Sequence, residues 1–244
     1  MIDAVCIQGK KVDTDRAKRI AEKFGAELVT EIPTDKFAKY ILMDKTGISF
    51  VSGKNTLKGD FNNMLRRVSD GRLEHEILLK ATKPQPGEKA VDCTAGLGED
   101  SFILAAAGYE VELFEHNPIT ALLLRDALQR AKRDPALKDI AARMTLSEGD
   151  SKDLLAALPY TPDLIYLDPM FPEKKKNAET KKKLQVLHTI ELPCADEIEL
   201  MQAAMNAKPK KIVVKRPPEG PFLAGIEPTY SVTRKAVRYD CIVL

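Results

Sequence analysis

Apolar residues along this chain repeat in two different rhythms, and the change falls near residue 70. Before that point short runs predict a small α+β unit. Residues 4–8 form a strand-length apolar run. Residues 13–24 put Ala17, Ile20, Ala21 and Phe24 on one helical face, and Gly25 follows as a stop. Residues 40–43 and 48–51 flank Asp44-Lys45-Thr46-Gly47, a hairpin signature. Residues 52–60 are polar and contain glycine, which predicts a loop. Residues 73–80 have helical spacing and run into Lys83-Pro84-Gln85-Pro86-Gly87, a strong punctuation. From residue 89 onward strands and helices alternate. Strands are expected at 90–93, 110–114, 143–146, 164–167, 211–215, 230–233 and 237–243, the last two antiparallel. Helices are expected at 101–107, 118–132 and 195–206. This pattern predicts an α/β fold: an open, mostly parallel seven-stranded sheet with helices on both faces, spanning 71–244. The accessory α+β domain occupies 1–70.

Composition narrows the class only a little. Hydrophobic residues make up 44% of the 244, enough for a substantial core. The four cysteines include no C-x-x-C pair and only three histidines are present, so neither a zinc site nor a disulfide framework is expected. The N-terminus lacks a secretory pattern, and no apolar run reaches membrane-span length, so the expected location is cytoplasmic. Net charge is only +2, but its distribution is uneven. Lys174, Lys175, Lys176, Lys181, Lys182 and Lys183 form one basic cluster. Lys208, Lys210, Lys211, Lys215 and Arg216 form another. Such clusters beside a candidate site are the footprint of a phosphate-rich partner.

In open α/β sheets ligands bind beyond the carboxyl ends of the strands. Asp92, Glu115, Asp150 and Asp168 all fall at such ends. Asp92-Cys93-Thr94-Ala95-Gly96-Leu97-Gly98-Glu99-Asp100 joins the first of these strands to a helix, with Gly96 and Gly98 permitting a tight turn and close backbone approach. Glu115 stands where a carboxylate accepts hydrogen bonds from ribose hydroxyls. Ser101 replaces the third glycine of a dinucleotide fingerprint, and Glu99 and Asp100 put negative charge where a pyrophosphate would lie. This disfavours an NAD- or FAD-dependent oxidoreductase. A cationic cofactor with an amino-acid tail, S-adenosylmethionine, suits the acidic loop better. Asp92, Glu99 or Asp100 would face its ammonium group, and Asp150 or Ser151 would reach its adenine. His116 is a candidate for the adenine or ribose edge.

The second motif is Asp168-Pro169-Met170-Phe171-Pro172, at the end of another strand. Its first four residues resemble the [DN]-P-P-[FYW] motif of methyltransferases acting on exocyclic amino groups. An exocyclic amine on a base delocalises its lone pair into the ring and is a poor nucleophile. A carboxylate and a backbone carbonyl that accept its N–H bonds turn the remaining lobe toward an electrophile. Pro169 stiffens the turn, and Phe171 offers a stacking face worth about 1–3 kcal/mol. The lysines behind the motif point to RNA. Cys194, after Pro193, is the alternative nucleophile, but it lies away from the strand-end motif.

The stretches VDCTAGLGEDSFILAAAGYEVELFEHNP, LIYLDPMFPEKKK and KKIVVKRP resemble the bacterial small-subunit (16S) ribosomal RNA guanine-N2 methyltransferase J family. The resemblance covers about residues 70–244. It implies a Rossmann-like class I methyltransferase fold and S-adenosylmethionine as cofactor, with N2-methylguanosine in 16S rRNA as product. It places cofactor contacts on Glu99, Asp100, Glu115, His116, Asp150, Ser151 and Asp168. The family often carries Arg where this chain has Glu99 and His116. Two other readings are an adenine-N6 or other nucleobase amine methyltransferase, and a non-catalytic RNA-binding or ribosome-assembly protein on the same fold.

Overall fold

The computed structural model describes residues 2–10, 12–33, 39–169 and 196–244. Two sheets are present. The first has five strands in the order β2-β1-β3-β4-β5: β1 (Ala4–Ile7), β2 (Glu27–Val29), β3 (Lys39–Asp44), β4 (Gly47–Ser52) and β5 (Asn55–Leu57). Helix α1 (Thr14–Phe24) connects β1 to β2. Asp13 caps it by accepting from the Arg16 N–H, and Gly25 ends it in the left-handed region. The hairpin expected around residue 45 forms with Asp44 opposite Gly47. Two expectations fail here. Residues 52–60 are not all loop, because Leu57 is 1% exposed and draws β5 onto β4. The helix expected at 73–80 is broken into a 3-10 turn at Leu73–His75 and α3 (Ile77–Thr82), which follows α2 (Leu65–Val68).

The second sheet has seven strands in the order β11-β12-β10-β9-β6-β7-β8: β6 (Lys89–Asp92), β7 (Glu110–Glu115), β8 (Met144–Glu148), β9 (Leu164–Leu167), β10 (Lys211–Arg216), β11 (Tyr230–Arg234) and β12 (Val237–Val243). Strands β6 to β10 pair in parallel, and β12 runs antiparallel to both its neighbours, as expected of the terminal hairpin. Helices α4 (Glu99–Ala106), α5 (Pro118–Ala131), α6 (Lys138–Ala141), α7 (Ser151–Ala156) and α8 (Glu197–Asn206) complete the layers. Every residue of β9 is buried, the mark of a strand covered on both faces. The strand order reverses between β6 and β9, so the crevice at their carboxyl ends is the topological switch point.

Helix α5 joins the two sheets. Asn117 caps it, accepting from the N–H groups of Ile119 and Thr120, and Pro118 sits in its first turn. Leu122 and Leu123 pack with Ile41, Ile48 and Phe50 of the first sheet. Leu124, Ala127, Leu128 and Ala131 pack into the core of the second. Between them Asp126, 2% exposed, accepts from the Ile48 N–H at 3.0 Å and pairs with Arg130 at 2.8 Å and Arg16 at 3.1 Å. No helix among the described residues is long and apolar enough to cross a membrane.

Candidate active site

The loop 93–98 leaves β6 at the switch point and turns into α4. Gly98 adopts φ +77°, and a Cβ there would come within 2.8 Å of Leu124 Cδ1. Only glycine fits this position, because the loop lies directly on α5. Gly96 also has positive φ, +54°, yet a Cβ there would meet nothing nearer than the Thr94 carbonyl at 4.0 Å. The loop is therefore packed on one side and open on the other. Leu97, between the two glycines, reaches into the apolar cluster of the first sheet. Phe61, just after that sheet, lies 3.2 Å from the Gly98 Cβ position and stacks on Phe102 of α4. The N-terminal unit thus supports the loop from below.

Glu115, 4% exposed at the end of β7, fixes the loop laterally. One carboxylate oxygen accepts from the Gly96 N–H at 2.9 Å and the other from the Asn117 N–H at 2.7 Å. Asp92 ends β6 and is 2% exposed. It accepts from the Thr94 N–H at 3.0 Å and the Ser101 hydroxyl at 2.5 Å. Ser101, which departs from the dinucleotide fingerprint, thus serves the acidic centre. Burial is the main reason the Asp92 carboxyl is pushed up to about 7; the hydrogen bonds from Ser101 and Thr94 oppose the shift, and Asp100 and Asp168 add to it.

Asp100 and Asp168 share one ammonium. Lys215 Nζ donates to Asp100 Oδ2 at 2.7 Å and to Asp168 Oδ2 at 2.8 Å. Tyr166 Oη adds a third hydrogen bond, to Asp100, at 2.7 Å. Burial alone would raise the Asp100 carboxyl, but Lys215 and Tyr166 hold it below its ordinary value. Burial raises that of Asp168, Lys215 opposes the rise and Asp100 adds to it. Asp100 and Asp168 share Lys215, and Asp92 stands within electrostatic reach of both, so acidic groups dominate the crevice. A ligand bearing positive charge fits this donor set and an anionic one does not.

The remaining predicted residues fall around this centre. Glu99 opens α4. His116 is largely exposed, with Nδ1 3.6 Å from Glu115. Asp150 caps α7 by accepting from the Lys152 N–H, and the Ser151 hydroxyl donates to the Cys93 carbonyl at 2.5 Å, bracing the base of the loop. Pro169 is buried directly after Asp168. Two residues of the basic clusters do not serve as the RNA contacts expected of them. Arg216 is 2% exposed, and its Nε donates to the Pro221 carbonyl, so its guanidinium is not offered to an RNA phosphate. Lys215 is spent on two carboxylates in the crevice. Phe171, the lysines at 174–176 and 181–183, and Cys194 lie outside the described residues. Sequence reasoning missed Thr94 and Tyr166. Nothing in their local pattern marks them; only the alignment of strand ends brings them to the site.

Comparison with known proteins gives the family. The SAM-dependent methyltransferase family model matches residues 36–244. A ribosomal RNA small subunit methyltransferase J from Chromobacterium violaceum is 34% identical, covering 98% of this chain and 95% of the relative. Another of that name from Neisseria meningitidis serogroup C is 36% identical over 93% of this chain and 92% of its own length. The crystal structure of a SAM-dependent methyltransferase from Neisseria gonorrhoeae superposes with a TM-score of 0.77 at 30% identity, covering 98% and 95% of the two chains. With its seven-stranded sheet, its acidic crevice at the switch point and these relatives, the chain belongs to the ribosomal RNA small subunit methyltransferase J family of S-adenosylmethionine-dependent enzymes.

Proposed function

We propose that the protein methylates the exocyclic N2 of a guanine in 16S ribosomal RNA. The observation that carries this reading is Asp168: at the switch point, one carboxylate oxygen held by Lys215 and the side chain 37% exposed to the crevice. Bound S-adenosylmethionine supplies an electrophilic methyl group on a sulfonium. Asp92 and Asp100 would face the ammonium of its amino-acid tail, and Glu115 its ribose. The adenine would lie toward Asp150, Ser151 and His116, and the open side of Gly96 leaves room for close approach.

Asp168 and a backbone carbonyl of the Asp168–Pro169 turn accept hydrogen bonds from the two amine N–H groups. This aims the nitrogen lone pair at the methyl carbon. Pro169 keeps the turn stiff, and Phe171 stacks on the base. Alignment of this kind, rather than covalent catalysis, supplies most of the acceleration. Lys174, Lys175, Lys176, Lys181, Lys182 and Lys183 would contact RNA phosphates and make binding salt-sensitive. We further infer that residues 1–70 form an accessory domain that supports the cofactor loop and 71–244 the methyltransferase domain.

The test is methylation of unmodified small ribosomal subunits with isotope-labelled cofactor, followed by nucleoside identification. N2-methylguanosine is expected. N6-methyladenosine would move the reading to the adenine-N6 class, and absence of any labelled nucleoside would remove methyl transfer to this RNA.

A further inference from the structure

Strand register explains how a lysine of the basic stretch at 208–216 comes to the crevice. Strand β10 pairs with β9 so that Val214 stands opposite Leu167. One step further puts Lys215 beside Asp168. The neighbouring positions Val213 and Val214 are fully buried, so the side chain emerges only where the sheet ends. There the ammonium bridges α4 and the end of β9, with two of its three N–H bonds taken by Asp100 and Asp168. Asp168 Oδ2 is the oxygen it takes. Asp168 Oδ1 has no protein donor among the described residues.

We propose that Lys215 is a positioning residue for methyl transfer: by gripping Asp168 Oδ2 and Asp100 Oδ2 it locks the Asp168 carboxylate, ionised, with Oδ1 presented to the substrate amine. This rests on the reading of Asp168 as the amine acceptor. A carboxylate among two other acids and buried strand ends would otherwise take up a proton, and a protonated Asp168 is a poorer acceptor. The same grip fixes the carboxylate plane, which free rotation at the mouth of a crevice would leave undefined. A phosphate contact, the role expected for Lys215 from its place in a basic stretch, would have to share the ammonium with both carboxylates.

The groups facing Lys215 are Asp100 of α4, Asp168 and Tyr166 of the β9 end, and Tyr239, its cross-strand partner on β12. Arg67 of α2 and Asp92 lie within electrostatic reach of Asp100. Burial first, and the nearby acids after it, push both tyrosines up, out of the neutral range. Among the acids of the cluster, Asp92 is pushed up to about 7 and Asp168 is raised, burial first in both, while Lys215 and Tyr166 hold Asp100 low.

The experiment is single-turnover methylation of unmodified small subunits at saturating cofactor across pH 5–9, with wild type, Lys215→Met, Lys215→Arg and Asp168→Asn. In Lys215→Met the acid limb of the rate should move up by about 1–3 pH units, with the rate at pH 7 falling at least about tenfold and partly returning at alkaline pH. Lys215→Arg, which keeps the charge and two donors, should restore most of the limb. Calorimetry should find cofactor still bound by Lys215→Met, which shows the crevice is folded. Should that variant not fold, Lys215→Gln removes the charge and reads the same limb. A limb that stays in place, or a loss equal at every pH, overturns the positioning role. Asp168→Asn tests the underlying reading separately. With no carboxylate at 168 its rate should fall at least about tenfold at every pH, and a rate equal to wild type would remove Asp168 as acceptor whatever Lys215 does.

Discussion

The backbone N–H of Asp168 donates to the Thr94 hydroxyl oxygen at 2.6 Å, across 74 positions of sequence. Thr94 belongs to the loop proposed to hold the cofactor and Asp168 to the turn proposed to hold the amine. This bond ties the loop after β6 directly to the turn after β9. Thr94→Val removes it while keeping the shape of the side chain. Single-turnover rate should fall by about tenfold, the worth of one buried hydrogen bond, with cofactor affinity nearly unchanged. Thr94→Ser should retain most of the rate.

Asp92 makes the unliganded protein sensitive to pH. Its carboxyl rises on folding from 3.8 to about 7, with burial the largest cause. A raised acid binds its proton more tightly in the native state. Its contribution to stability is therefore full at low pH and is lost as pH rises from about 4 through 7. Asp92→Asn should flatten the fall in melting temperature over that range and raise it at pH 8. Binding of a cationic cofactor should release a proton from wild-type Asp92 near pH 6, measurable by calorimetry in buffers of different ionisation heat. The Asn variant should release none.

The two glycines of the loop should separate stability from binding. Gly98→Ala forces a methyl against Leu124, Phe61 and Leu113 and should cost about 2–3 kcal/mol in urea unfolding. Gly96→Ala meets no such wall and should cost about 1 kcal/mol of backbone strain. Its methyl stands on the open side, so cofactor affinity should fall more than in any variant of equal stability.

Asp126→Ala leaves Arg16 and Arg130 without their shared carboxylate and the Ile48 N–H without an acceptor. Both arginines are about a quarter exposed and regain part of their hydration. The expected loss is about 2–3 kcal/mol, at or below the low end for a broken buried pair, with faster proteolysis of the first sheet.

The order and type of most elements were legible because the core strands are short, apolar and punctuated by Gly and Pro. The positions of Asp92, Glu115, Asp150 and Asp168 at strand ends followed from the same pattern. What was not legible depended on contacts between distant segments. A polar stretch became β5 because one leucine found the core. Lys215 and Arg216 read as a basic surface from neighbouring charges, yet alternation along β10 sends one to the crevice and buries the other against the Pro221 carbonyl. Charge counted along the chain does not reveal which face of a strand carries it.

Helix α5 has nine buried positions out of fourteen, and its exposed ones are Pro118, Arg125 and Gln129. Its two flanks belong to the cores of different sheets, so neither core can come apart without exposing apolar surface of the other. Heating should give a single calorimetric transition, with the first sheet and the cofactor loop losing structure together. A cell that damages the N-terminal sheet would then lose the enzyme as a whole, because the helix makes the two sheets one cooperative unit.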